Sequence, residues 1–276
     1  MISGRKRKIA LAVEYDGSCF HGWQRQQNAL SVQEILESAW LELTGEKIVI
    51  TGCSRTDAGV SARRHISHFS TATSIPDEKI FLALNSKLRP GLSVLASRGV
   101  PANFNARYGA LGKTYSYRLL CSPARPAIER RTCAWLPLEP DYSLMTSSLD
   151  YFIGEHDFSS LMDQGSPSKR HRRTIFDLVL TREEIDRLVG TEYRLTVTGD
   201  GFLYHMVRIL MGTIVAVGQK KIALCDIAAL IEQKDRTKMG ITMPAAGLVL
   251  EKVFYRHNLF DNDSWPYARG DENGKY

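Results

Sequence analysis

The chain reads as an α+β protein built from two similar domains, and three observations predict this. Strand-like and helix-like patterns alternate twice before Pro101, the same rhythm returns after Gly112 without repeated sequence, and an irregular stretch separates the two runs. The 276 residues are 43% hydrophobic and 24% charged, enough apolar material for two cores and unlike a disordered chain.

Ile9 to Tyr15 is the first strand, running into the turn Asp16-Gly17-Ser18. The loop behind it carries Trp23 and Gln24, which either contact a base or pack. Ser31 and Glu34 form a capping box, and Val32, Ile35, Leu36, Ala39, Trp40 and Leu43 repeat at helical spacing up to Gly45. Lys47 to Cys53 has β-branched, strand-like character and leads into Ser54-Arg55-Thr56-Asp57-Ala58-Gly59-Val60, a charged turn in which Gly59 takes a positive φ without steric cost. An aspartate in such a turn ordinarily caps its own backbone. His65 to Ser70 is a further strand, on which His65 and His68 point to opposite faces and so form no metal pair. Pro76 opens a helix over Asp77 to Leu88, and Leu92 to Ala96 is a strand.

Beyond the irregular stretch from Pro101 to Gly112, alternation in Thr114 to Leu119 puts Tyr115 and Tyr117 on one face. Ser122 to Arg131 is a basic loop, and Leu144 to Phe152 is helical. Gly165 to Arg173 is an exposed loop whose run Lys169-Arg170-His171-Arg172-Arg173 suits phosphate contacts. Strands follow at Thr174 to Thr181 and Glu192 to Thr198. Gly199-Asp200-Gly201 is a turn, lacking the third glycine of a phosphate loop. Phe202 to Val217 reads as a helix with Tyr204 and Arg208 on one face, and an arginine on so apolar a helix needs an anionic partner. Ile222 to Gln233 is helical, Gly247 to Tyr255 is a closing strand, and the tail after His257 is polar and frayed.

The charge balance, 36 Lys and Arg against 30 Asp and Glu, gives +6 and favours polyanionic partners. Five scattered cysteines contain no CxxC pair, which argues against a disulfide framework or zinc site and for reduced thiols in a cytosolic protein. The apolar run behind Arg5-Lys6-Arg7-Lys8 is too short for a signal peptide. The longest apolar stretch, Ile209 to Val217, is broken by Gly212 and falls short of the roughly 18 residues that span a bilayer.

Taken in order, the motifs resemble the TruA family of tRNA pseudouridine synthases from Tyr15 to Tyr255. They are Tyr15-Asp16-Gly17 with Gly22-Trp23-Gln24; Arg55 to Val60; Phe104 with Ala106-Arg107; Lys113 to Tyr117; His156-Asp157-Phe158; Phe202 to Arg208; and Pro244 to Leu248. The resemblance implies two RRM-like (ferredoxin-like) α/β domains sharing a continuous mixed, mainly antiparallel sheet with a basic cleft between them. The expected division is residues 1–105, 106–260 and a tail over 261–276. It also implies a cytoplasmic homodimer that uses no cofactor or metal and converts uridine to pseudouridine at positions 38 to 40 of tRNA.

In that family Asp57 is the catalytic carboxylate, either a nucleophile or the base that removes a sugar proton. Arg55 displaces the target base, Tyr115 stacks on it, Arg208 pairs with Asp57 and favours its ionised form, and Leu248 closes the pocket. Lys169, Arg170, Arg172 and Arg173 are the expected RNA-binding residues. The chain departs from the family pattern at Ser54, Ser61, His65 and Asn105, which surround the motifs and bear on substrate choice. Three alternatives stay open: a related synthase acting on another RNA site, a non-catalytic RNA-binding module, and an aspartate-dependent hydrolase.

Overall fold

A computed structural model describes residues 6–165, 170–186, 188–260 and 265–267. In chain order the main elements are β1 (Arg7–Tyr15), α1 (Val32–Thr44), β2 (Thr51–Gly52), β3 (Ser61–Thr71), α2 (Ile80–Asn85), β4 (Leu92–Val100), β5 (Ala110–Cys121), β6 (Ala134–Leu136), α3 (Tyr142–Ser147), β7 (Gly154–Asp157), β8 (Arg172–Asp186), β9 (Gly190–Gly199), α4 (Met206–Gly218), α5 (Ile227–Glu232) and β10 (Leu248–Tyr255). The α+β expectation holds: one large sheet runs β4-β1-β3-β10-β5-β9-β8-β7, with β2 added to β3 and β6 to β5. Pairing is antiparallel except for β10 with β3 and β5 with β6.

The β3–β10 pairing is the seam of the molecule. Only Val249↔Ser61 and Leu250↔Ala62 are in register there, so the end of the turn that carries Asp57 lies beside the start of the last strand. On the first side, α1 buries Val32, Leu36, Ala39 and Trp40, the last edge-on to Phe69 of β3 at 5.0 Å. Its ends are set as the capping pattern requires: Ser31 Oγ accepts from Glu34 N, and Gly45 closes the helix at φ 70°. On the other side, α4 buries almost its whole surface against β5 and α3.

Several boundaries depart from the expected ones. Most of Lys47 to Cys53 is not strand, because side chains of α1 replace the ladder: Glu37 Oε1 accepts from Ile50 N at 2.9 Å and Gln33 Nε2 donates to Ile50 O at 3.1 Å. The helix expected from Phe202 starts only at Met206, since His205 holds φ 61° and interrupts the winding. Tyr204 is therefore not one helical turn from Arg208. The helix expected from Ile222 begins at Ile227. Arg172 and Arg173 open β8 instead of lying in a loop. The tail is not simply frayed: Trp265 packs on Phe176 and Phe254 at 5.0 and 5.2 Å, and Arg98 donates to Leu259 O at 2.9 Å.

The glycine that interrupts the apolar run of α4 has a packing role. A Cβ on Gly212 would run into the carbonyl of Ile241, and one on Gly240 would meet the backbone of Gly212. Helix and loop thus touch backbone to backbone, and the same loop anchors Arg208, whose Nε donates to Met243 O at 2.7 Å. Gly212→Ala should destabilise the fold by about 1–3 kcal/mol in a denaturant titration, since the packed loop must move to admit a methyl group.

Candidate active site

Asp57 is held by its own turn and by the elements around it. Val60 N donates to Asp57 O at 3.1 Å and Gly59 adopts φ 82°, the positive angle expected of it. Thr56 is tied down on both sides: Trp23 N donates to its carbonyl at 3.2 Å, and its hydroxyl bonds Tyr15 Oη at 2.8 Å. Beneath the turn, His65 stacks on Trp23 with ring centres 3.7 Å apart, and its Nε2 lies 2.9 Å from Ser54 O. A carbonyl only accepts, so Nε2 carries the hydrogen. Trp23 and His65 are thus packing groups here.

From the other side of the seam, α4 delivers Arg208, whose Nη1 donates to Asp57 Oδ2 at 3.3 Å. The Arg208 side chain is 14% exposed, so this carboxylate and the Met243 carbonyl are acceptors for a cation largely removed from water. Tyr115 points the same way. It is buried, edge-on to Phe202 at 5.2 Å, with its hydroxyl 3.4 Å from Ser54 Oγ, and burial pushes it well above the ordinary tyrosine value.

Asp57 and Tyr115 line an open pocket of about 1040 Å³, which Arg208 adjoins through Asp57. Arg55 lies exposed on its wall and Leu248 is buried at its edge. The other cations lining it are Arg25, Arg107, Lys113, Arg170, Arg172 and Arg173, against the carboxylates Asp57 and Asp200. Every expected site residue that the structure describes is therefore gathered at one place; Lys169 lies outside the described residues. Arg172 is already paired with Glu155 at 2.8 Å. Lys113 stands two residues from Tyr115 on β5, where loss of water lowers its ammonium below the ordinary value. Among the described residues no group of three or more His, Cys, Asp or Glu is placed to hold a metal ion, and no helix is long and apolar enough to cross a membrane.

The sequence reading missed His205, Asp163 and Arg236. His205 Nε2 lies 3.2 Å from Asp57 Oδ2 and its Nδ1 2.7 Å from Asp163 Oδ2, while Arg236 Nε donates to Asp163 Oδ1 at 2.7 Å. His205 sits inside a motif that had been noticed, but nothing local to Asp163 or Arg236 signals that they meet.

The family whose sequence model matches is described as tRNA pseudouridine synthase, over residues 11–109 and 149–256. The tRNA pseudouridine synthase A of Clostridium acetobutylicum is 43% identical over 249 residues, covering 90% of this chain and all of its own. That of Caldicellulosiruptor saccharolyticus is likewise 43% identical, and tRNA pseudouridine synthase A 2 of Clostridium perfringens 39%, each with the same coverage. A solved chain of an unknown protein from Galdieria sulphuraria aligns at 12% identity with a TM-score of 0.22 over 79% of this chain and 94% of its own.

His65 yields a stability prediction. Complete burial pushes its imidazole down to about 3, with the Ser54 carbonyl opposing only in part, so the folded protein refuses a proton that the unfolded chain accepts below about 6.5. Stability should therefore fall as pH drops from about 6.5 toward 3. In His65→Gln this slope should be shallower by up to about 1.4 kcal/mol per pH unit in denaturant titrations across that range. His68, held down at about 4 by burial and by Lys8, keeps a residual slope in the variant.

Proposed function

The chain belongs to the tRNA pseudouridine synthase family, and from that premise we propose that it isomerises uridine to pseudouridine at positions 38 to 40 of the tRNA anticodon stem-loop, with Asp57 as the catalytic carboxylate. The observation that carries this reading is the Asp57–Arg208 pair beside a pocket whose charged lining is mostly cationic. The polyanionic backbone of RNA meets complementary charge there, and the target nucleotide leaves its stack to reach the carboxylate.

The reaction balances within the substrate. The C1′–N1 bond breaks, the uracil turns, a C1′–C5 bond forms, the proton on C5 is lost, and N1 gains one. Asp57 either attacks or takes a sugar proton, and Arg208 holds it in orientation for both. Tyr115 offers the face for the flipped base, Arg55 fills the space the base leaves, Leu248 closes the apolar edge, and Arg170, Arg172 and Arg173 with Lys169 hold phosphates. The strand order β4-β1-β3-β2 with α1 and α2 supports an RRM-like first domain, residues 1–105, and the seam at β10 supports a second over residues 106–260. The same family reading brings a homodimer in the cytoplasm.

Asp57→Asn should abolish turnover, read as tritium release from C5-labelled uridine in tRNA, while the chain stays folded and still binds tRNA. Substantial residual turnover would overturn the assignment, and tRNA binding by a wild-type protein that never turns over would favour the binding module. Arg208→Met should slow turnover on the order of 10²-fold or more; an unchanged rate would remove it from the site. Affinity for tRNA should fall steeply as salt rises, and salt-insensitive binding would contradict an RNA site.

A further inference from the structure

The imidazole of His205 stands between two carboxylates, one of which belongs to no motif of the sequence. Nδ1 bonds Asp163 Oδ2 at 2.7 Å, and Nε2 lies 3.2 Å from Asp57 Oδ2. Asp163 is itself fixed from behind: Arg236 Nε donates to Oδ1 at 2.7 Å and Thr242 Oγ1 to Oδ2 at 2.8 Å. Arg236 is held in turn, donating to Gly240 O and to Thr242 Oγ1, each at 2.8 Å. Burial alone would raise the Asp163 carboxyl, but the hydrogen bonds from His205, Thr242 and Arg236 outweigh it and hold the group down at about 2.

The hydrogen-bond inventory then fixes the ring. An ionised carboxylate only accepts, so Nδ1 carries the hydrogen that reaches Asp163. With that hydrogen committed, Nε2 faces Asp57 Oδ2 across 3.2 Å, and the same oxygen receives Arg208 Nη1 at 3.3 Å. The charged groups around the ring are Asp57 from the turn, Asp163 from the connection between β7 and β8, Arg208 on α4, and Arg236 behind Asp163.

The backbone supports a dedicated arrangement. His205 caps α4 at φ 61°, a region that costs a histidine free energy, and its side chain makes no capping bond. The ring is stacked on Tyr204 at 3.8 Å and spent on the two carboxylates.

We propose that Asp163 positions Asp57 for the reaction by acting through His205, holding the ring with Nε2 3.2 Å from the same oxygen that Arg208 contacts. This rests on Asp57 being the catalytic carboxylate. Asp163 does not line the pocket, so it is a positioning residue and touches no substrate.

In Asp163→Asn, kcat on tRNA should fall at least about tenfold with KM changed by less than about twofold. His205→Asn, chosen because asparagine tolerates the left-handed backbone, should lower kcat as well, and the double variant should be no slower than His205→Asn alone. An unchanged kcat in Asp163→Asn, or single losses that multiply in the double variant, would overturn the proposal. A second readout needs no turnover: in protein labelled with 15N-histidine, the His205 ring signals, identified by their loss in His205→Asn, should move in Asp163→Asn while those of His65 and His68 stay. Ring signals unmoved by Asp163→Asn would overturn it too. A wild-type protein that makes no pseudouridine but shows the ring response would instead sink the functional reading and uphold the coupling of Asp163 to His205.

Discussion

Arg208 and Asp57 are 151 residues apart in the chain and meet within 3.3 Å, and the rest of the structure is arranged so that they can. An arginine on an apolar helix has to find acceptors, and here one is the Met243 carbonyl and the other the carboxylate delivered by the turn before β3. Removing the carboxylate leaves Arg208, whose side chain is 14% exposed, with the Met243 carbonyl and little water, so the pair is costly to break from that side. Its position depends on the seam: β3 and β10 pair over two residues only, enough to bring the turn of one half against α4 and its loop in the other.

That constraint explains otherwise scattered features. The backbone contact between Gly212 and the 240–241 loop sets how closely Met243 approaches Arg208. The Trp23–His65 stack underpins Ser54 and Thr56, so the turn rests on a rigid aromatic layer. The charged lining of the pocket is mostly positive, with Asp57 and Asp200 as its carboxylates, an arrangement complementary to a polyanion.

Local signals were legible in the sequence and long-range ones were not. The helix from Val32 was readable because its cap, its period and its terminal glycine all lie within fifteen residues of one another. The extent of the strand before Asp57 was misread because β-branched composition says nothing of who satisfies the backbone, and Glu37 and Gln33 do so for Ile50. The start of α4 was misplaced because Phe202, Leu203 and Tyr204 continue its apolar pattern, whereas a single left-handed residue, His205, stops it. In the site, ordered motifs led to Asp57, Arg55, Tyr115, Arg208 and Leu248, all of which line or adjoin one pocket. Asp163 and Arg236 have no such signal, since their roles exist only once distant segments have packed.

The most direct test of the whole account is to incubate the purified protein with unmodified tRNA transcripts and map pseudouridine at single-nucleotide resolution. Pseudouridine at positions 38 to 40 is the predicted result and would join the Asp57 pocket to its chemistry and its substrate together. Transcripts that are bound but remain unmodified at every uridine would contradict it.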